Sequence, residues 1–155
     1  MNVQPEAPHD RRIYAVGDIH GRVDLMRALH SRIAADAARI NDARANVVIY
    51  VGDYIDRGDH SRQVVETLIG HALAGFEQVC LSGNHERLLL QFLADPDSGP
   101  TWLFNGGDAT LRSYGVDIED PAFGLEGWSW VHQRLLDGLP GRHLAFFREL
   151  ALSHE

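Results

Sequence analysis

The sequence predicts an α/β fold: a βαβαβ layered sheet with a helical flank. Two observations carry most of that prediction. Apolar, strand-length runs recur at residues 13–16, 46–51 and 78–82, and stretches of helical period lie between them. Each run also stops at a glycine followed by Asp or Asn, in "GDIHGR", "GDYIDRG" and "GNHE". Strand, loop and helix repeated in this order imply a sheet with helices packed on it and right-handed crossovers between strands.

The elements follow in order. "IYAV" is the first buried strand, and Leu25, Leu29 and Ile33 mark a helix after it by their i, i+4 spacing. "NVVIYV" is the second strand. The helix behind it is expected to be capped by Ser61, to pack Val64, Val65, Leu68 and Ile69 inward, and to end near Gly75. "QVCLS" is the third strand, with a helix expected over residues 86–94. After the turn-rich "DPDSGP" the pattern changes to short helices carrying Trp102, Trp128 and Trp130, expected as a cap or flank on the same domain.

At 155 residues the chain is long enough for one domain with a real core. Residues 1–12, polar and proline-punctuated, are expected as a flexible arm and residues 13–155 as the domain. The start resembles neither a signal nor a transit peptide, and no apolar run approaches the roughly 18 residues that a membrane span needs. The lone Cys80 fits a reducing cytoplasm. A formal net charge of −8 argues against a nucleic-acid surface. It leaves an anionic substrate open, because bound divalent metals reverse the local field of a carboxylate site.

Ligands of open α/β sheets bind outside the carboxyl ends of the strands. The three loops end strands there, bringing Asp18, His20, Asp53, Asp56, Arg57, Asn84 and His85 to one edge. Carboxylates mixed with imidazoles suit Mn, Fe or Zn. Any one of these loops alone reads as an ordinary capped turn. Three in order, each on a strand end, read as a shared metal site.

Together "GDIHG", "GDYIDRG" and "GNHE" resemble the signature of the metallophosphoesterase superfamily, and more narrowly the phosphoprotein phosphatases of the bacterial and bacteriophage-lambda serine/threonine type. "WLFNGGDATLRSYG" is similar to the segment that follows the third motif in bacterial members. The resemblance implies two divalent metal ions. Asp18 and His20 would bind the first, Asp53 would bridge both and Asn84 would bind the second. A hydroxide held between the metals would attack phosphorus in line. His85 would protonate the leaving alkoxide, with Asp56 orienting and charging it, and Arg57 together with Asn84 would contact the substrate phosphate. The implied substrate is a phosphoserine or phosphothreonine protein or peptide.

The family pattern also contains two later histidine motifs and a second arginine. His132 and His143 stand in helical contexts instead, His154 reads as a linker residue and His60 as a solvated loop position. The C-terminal strands are therefore expected to be missing, with the chain as the N-terminal part of a longer phosphatase and weak or inactive alone. Two alternatives stand beside this reading: a nucleotide phosphohydrolase of the diadenosine-tetraphosphatase kind, and a non-catalytic remnant. The "DRG" run speaks against the first, the intact Asp56 and His85 against the second.

Overall fold

The computed structural model describes residues 8–154 apart from Asn41, Ala72 and Asp120, and excludes the side chains at 121–126. β1 (Arg11–Val16), β2 (Ala45–Tyr50) and β3 (Glu77–Cys80) form one parallel sheet in the order β1-β2-β3. Parallel neighbours need a crossover. α1 (Val23–Ile40) supplies it between β1 and β2, and α2 (Ser61–Ile69) between β2 and β3. Two residues of the arm expected over 1–12, Arg11 and Arg12, are thus part of β1, while residues 1–7 lie outside the described residues.

Alternation along the strands puts Tyr14, Val16, Val48 and Tyr50 on one face, where α1 packs. The Tyr14 hydroxyl donates to Asp36 at 3.0 Å, and the Tyr50 hydroxyl meets His30 Nε2 at 2.7 Å. The buried stripe of α1 is Val23, Met26, His30, Ile33 and Ala37. Of the residues that marked the helix in the sequence, only Ile33 lies in that stripe; Leu25 and Leu29 are exposed. The stripe is rotated because His30 is accommodated inside by its bond to Tyr50.

α2 also departs from expectation at both ends. Ser61 is its first helical residue, buried, with its hydroxyl turned to the loop before it rather than capping the helix. The helix stops at Ile69 against Gly70, and Gly75 lies in the connection beyond. α3 (Asn84–Ala94) starts two residues earlier than the pattern suggested, so the third motif forms its first turn.

A 3-10 turn (Pro96–Ser98) leads to α4 (Gly99–Phe104), α5 (Gly107–Ser113), α6 (Pro121–Gly138), which is broken at Gly127, and α7 (Gly141–Glu149). Leu89 and Phe92 of α3 and Trp102, Leu111, Val131, Leu135 and Phe147 of α4 to α7 share one hydrophobic cluster with Val48, Tyr50, Tyr54 and Val64. After α7 the chain returns beside the sheet: Ala151 bridges to Leu81 in parallel, and Ser82 N–H donates to the Ala151 carbonyl at 2.8 Å.

Candidate metal centre

The three loops interlock through their backbones. The N–H groups of Ile19 and His20 both donate to the Asp53 carbonyl, at 3.0 and 2.9 Å, and Gly21 N–H donates to the Tyr54 carbonyl at 2.9 Å. The approach is too close for side chains: Gly21 has φ +66°, and a Cβ there would collide with the Gly58 carbonyl oxygen. His20, Asp53, Asp56 and Arg57 also have positive φ, at 44°, 55°, 72° and 66°. Such conformations cost about 1–3 kcal/mol each in a non-glycine residue and persist where the surroundings over-determine them.

The Glu86 carboxylate is one such determinant. Buried in the first turn of α3, it accepts N–H groups from Asp53, Tyr54 and Gly83 at 2.9, 2.8 and 2.9 Å. Burial raises its pKa, against the pull of those three donors. Asp53 Oδ1 in turn accepts the His85 N–H at 3.1 Å, at the helix N-terminus where a carboxylate is favoured.

Ligand atoms of His20, Asp53 and His85 lie within 4.8 Å of one another, a spacing that could hold a metal ion. His20 Nδ1 is 2.9 Å from the Ile55 carbonyl, so it carries the proton and leaves the Nε2 lone pair, which faces the Arg57 guanidinium, as the atom that could ligate. Asp18 Oδ2 lies 3.7 Å from that nitrogen on an exposed side chain. Asn84 stands exposed at the first position of α3. The donor set is imidazole and carboxylate, and it fits a divalent transition metal.

His85 has a second attachment. Its Nδ1–H donates to Asp56 Oδ2 at 2.7 Å, with both residues buried. Its Nε2 faces Arg57, whose Nη2 is 3.2 Å away, while Arg57 Nη1 lies 3.1 Å from His20 Nε2. The guanidinium thus spans the gap between the two imidazoles. Asp56 also accepts from Trp102 Nε1, at 3.1 and 3.0 Å to its two oxygens, and from Thr110 Oγ1 at 2.6 Å. Burial raises the Asp56 pKa, opposed by the hydrogen bonds from Thr110, His85 and Trp102.

The structure therefore gathers Asp18, His20, Asp53, Asp56, Arg57 and His85, with Asn84 adjoining. His60 is exposed and His154 exposed beyond the Ala151 bridge. His132 meets the Leu93 carbonyl at 3.1 Å, and His143 is buried between Tyr114 and Glu66. Sequence reasoning missed the supports: Glu86, Ser61, Trp102 and Thr110. Glu86 had a legible signal, an acidic residue three positions after a helix-starting glycine. Trp102 and Thr110 lie 46 and 54 residues from Asp56, with nothing local to announce the contact.

Comparison with known proteins agrees with this geometry. The family model described as Calcineurin-like phosphoesterase matches residues 11–147. The chain is 35% identical over 102 residues to "Serine/threonine-protein phosphatase 2" of Escherichia coli, covering 66% of this chain and 41% of that protein. It is 35% identical over 108 residues to "Serine/threonine-protein phosphatase 1" of Salmonella typhimurium, covering 69% and 44%. A third relative, "Zinc-dependent endopolyphosphatase" of Saccharomyces cerevisiae, is 32% identical over 84 residues, covering 53% and 23%. The chain thus matches less than half the length of each of these relatives. The convergence of three loops, distant in sequence, on one sheet edge has its explanation in descent: the chain belongs to the calcineurin-like phosphoesterase family.

Proposed function

We propose that the site serves metal-dependent hydrolysis of phosphomonoesters, with phosphoserine or phosphothreonine in proteins or peptides as substrate. The observation that carries this reading is the buried Asp56–His85 pair, 2.7 Å apart, with the Arg57 guanidinium against His85 Nε2. A site that only binds has no need of a proton donor aligned with a phosphate clamp. The names of the two bacterial relatives point the same way.

Asp18, His20, Asp53 and Asn84 would hold divalent metal, with Mn, Fe and Zn all matching the donors. Such metal supplies Lewis-acid polarisation of the phosphoryl group and lowers the pKa of water. Arg57 grips phosphate oxygens with its planar fork of donors. His85 delivers a proton from Nε2 to the departing oxygen, and Asp56 fixes the ring through Nδ1. We place the protein in the cytoplasm, where a lone free thiol such as Cys80 is kept reduced.

The test is hydrolysis of p-nitrophenyl phosphate with Mn²⁺, followed by a phosphothreonine peptide, a dinucleoside polyphosphate and inorganic polyphosphate. The expected result is turnover of the first two, with His85→Asn abolishing that of the phosphopeptide and reducing that of p-nitrophenyl phosphate far less. Preference for either polyphosphate would move the substrate to phosphoanhydrides, as the name of the yeast relative suggests for that protein.

A further inference from the structure

We propose that Trp102 and Thr110 are positioning residues for the proton donor, and that the α4–α5 segment carrying them equips the site for alkyl phosphomonoesters. The proposal rests on the reading of His85 as general acid.

Thr110 holds Asp56 at two points. Its Oγ1 accepts the Asp56 backbone N–H at 2.8 Å and donates to Oδ1 at 2.6 Å, fixing backbone and carboxylate together. Ser61 Oγ shares the same N–H at 3.2 Å. The Trp102 indole N–H lies between the two carboxylate oxygens, at 3.1 and 3.0 Å, and so sets the plane of the carboxylate. With Oδ1 engaged by Thr110, Oδ2 is directed at His85 Nδ1. Asp56, Trp102, Thr110 and His85 are at most 1% exposed, so water does not compete for these bonds.

The same segment also holds the clamp. The Gly106 carbonyl accepts the Arg57 N–H at 2.9 Å, and a Cβ on Gly106 would come within 2.8 Å of Arg57 Cγ. One stretch, from Trp102 to Thr110, thus aligns both the acid and the phosphate ligand. Satisfying a buried carboxylate needs donors, but it does not need one hydroxyl bonded to both the backbone and the side chain of the same residue.

The chemistry this favours follows from the leaving group. As the oxygen of water bonds to phosphorus, the bond from phosphorus to the ester oxygen breaks. The departing oxygen takes a proton from His85 Nε2, the attacking water returns one to the ring, and the products are phosphate and an alcohol. The alkoxide of serine or threonine is a poor leaving group without that proton, whereas p-nitrophenolate departs readily without it. A displaced His85 therefore harms alkyl substrates far more than aryl ones.

The experiment compares Thr110→Val, Trp102→Phe and Thr110→Ser with the unaltered chain and Mn²⁺. The quantity read is the ratio of turnover on a phosphothreonine peptide to turnover on p-nitrophenyl phosphate. General acid catalysis is worth about 10²–10⁴-fold, so the ratio is expected to fall about tenfold or more in Thr110→Val and Trp102→Phe and to recover in Thr110→Ser. In parallel, the low-field NMR resonance of the His85 Nδ1–H, assigned through His85→Asn, is expected to shift or broaden in the first two variants. Equal losses on both substrates, no recovery in Thr110→Ser, or an unmoved resonance would each overturn the proposal. If the unaltered chain hydrolyses neither substrate, it is inactive alone, as its match to less than half of each relative allows, and the resonance decides on positioning.

Discussion

The Glu86 side chain holds the second loop by its backbone: one carboxylate oxygen accepts the Tyr54 N–H at 2.8 Å, and the other accepts those of Asp53 and Gly83. Glu86→Gln keeps the shape but turns an amide donor toward at least one of these N–H groups. A buried donor left without its acceptor costs about 1–3 kcal/mol, and for a chain of this length that lowers Tm by about 2–12 °C. Thermal unfolding followed by circular dichroism reads the change; a melting point within a degree of the original would show that Glu86 holds nothing.

Gly21 and Gly75 separate crowding from conformation. Both have positive φ, but a Cβ at Gly21 would meet the Gly58 backbone while one at Gly75 would meet nothing within 4 Å. Gly75→Ala should cost only the conformational term, about 1–2 kcal/mol. Gly21→Ala should cost more and should also weaken Mn²⁺ binding, because His20 is the preceding residue. Equal losses in urea titrations would refute the close packing of the first and second loops.

Metal binding should register as stability. A ligand that binds only the folded state stabilises it by about 2.7 kcal/mol at one hundred times its Kd. Saturating Mn²⁺ is expected to raise Tm, EDTA to reverse the rise, and Asp53→Asn to abolish the response. Asp53→Asn protein that still responds to Mn²⁺ in full would place the metal elsewhere.

Away from the site, His143 gives a pH dependence. The ring is buried, accepting from the Tyr114 hydroxyl at Nδ1 and donating to Glu66 from Nε2 at 2.8 Å. Burial lowers its pKa, with the Glu66 carboxylate opposing. The folded state therefore binds fewer protons than the unfolded chain. The stability His143 contributes is complete above the unfolded value of about 6.5 and is lost as pH falls from there toward the folded pKa. His30, also lowered by burial, adds to the same trend. The fall in Tm between pH 7.5 and 5.5 should shrink in His143→Gln; an unchanged fall would exonerate His143.

The sheet and the loops were legible because their signals are local. Apolar runs ending in Gly-Asp or Gly-Asn marked β1, β2, β3 and their loops, and the structure brings His20, Asp53, Asp56, Arg57 and His85 together. The inner face of α1 was not legible, since Leu25 and Leu29 are as apolar as the residues that are buried. Tertiary contact chose among them, through the bond between His30 and Tyr50. Ser61 read as a cap by residue type, whereas its hydroxyl serves Asp56 instead. The largest omission, Trp102 and Thr110, reflects distance along the chain: a donor to a carboxylate many helical turns away leaves no trace in spacing or period.

The positive φ angles of Asp53, Asp56 and Arg57 have a consequence for protein engineering. A peptide reading "GDYIDRG", or the same seven residues spliced into a foreign strand–helix junction, would relax toward an ordinary turn and scatter its carboxylates. What holds them comes from elsewhere: Glu86 from α3, the Gly106 carbonyl and Thr110. The smallest portable unit of this centre is therefore a three-dimensional patch running from β1 to α5, and designers who graft the motif without that patch should expect an inert loop.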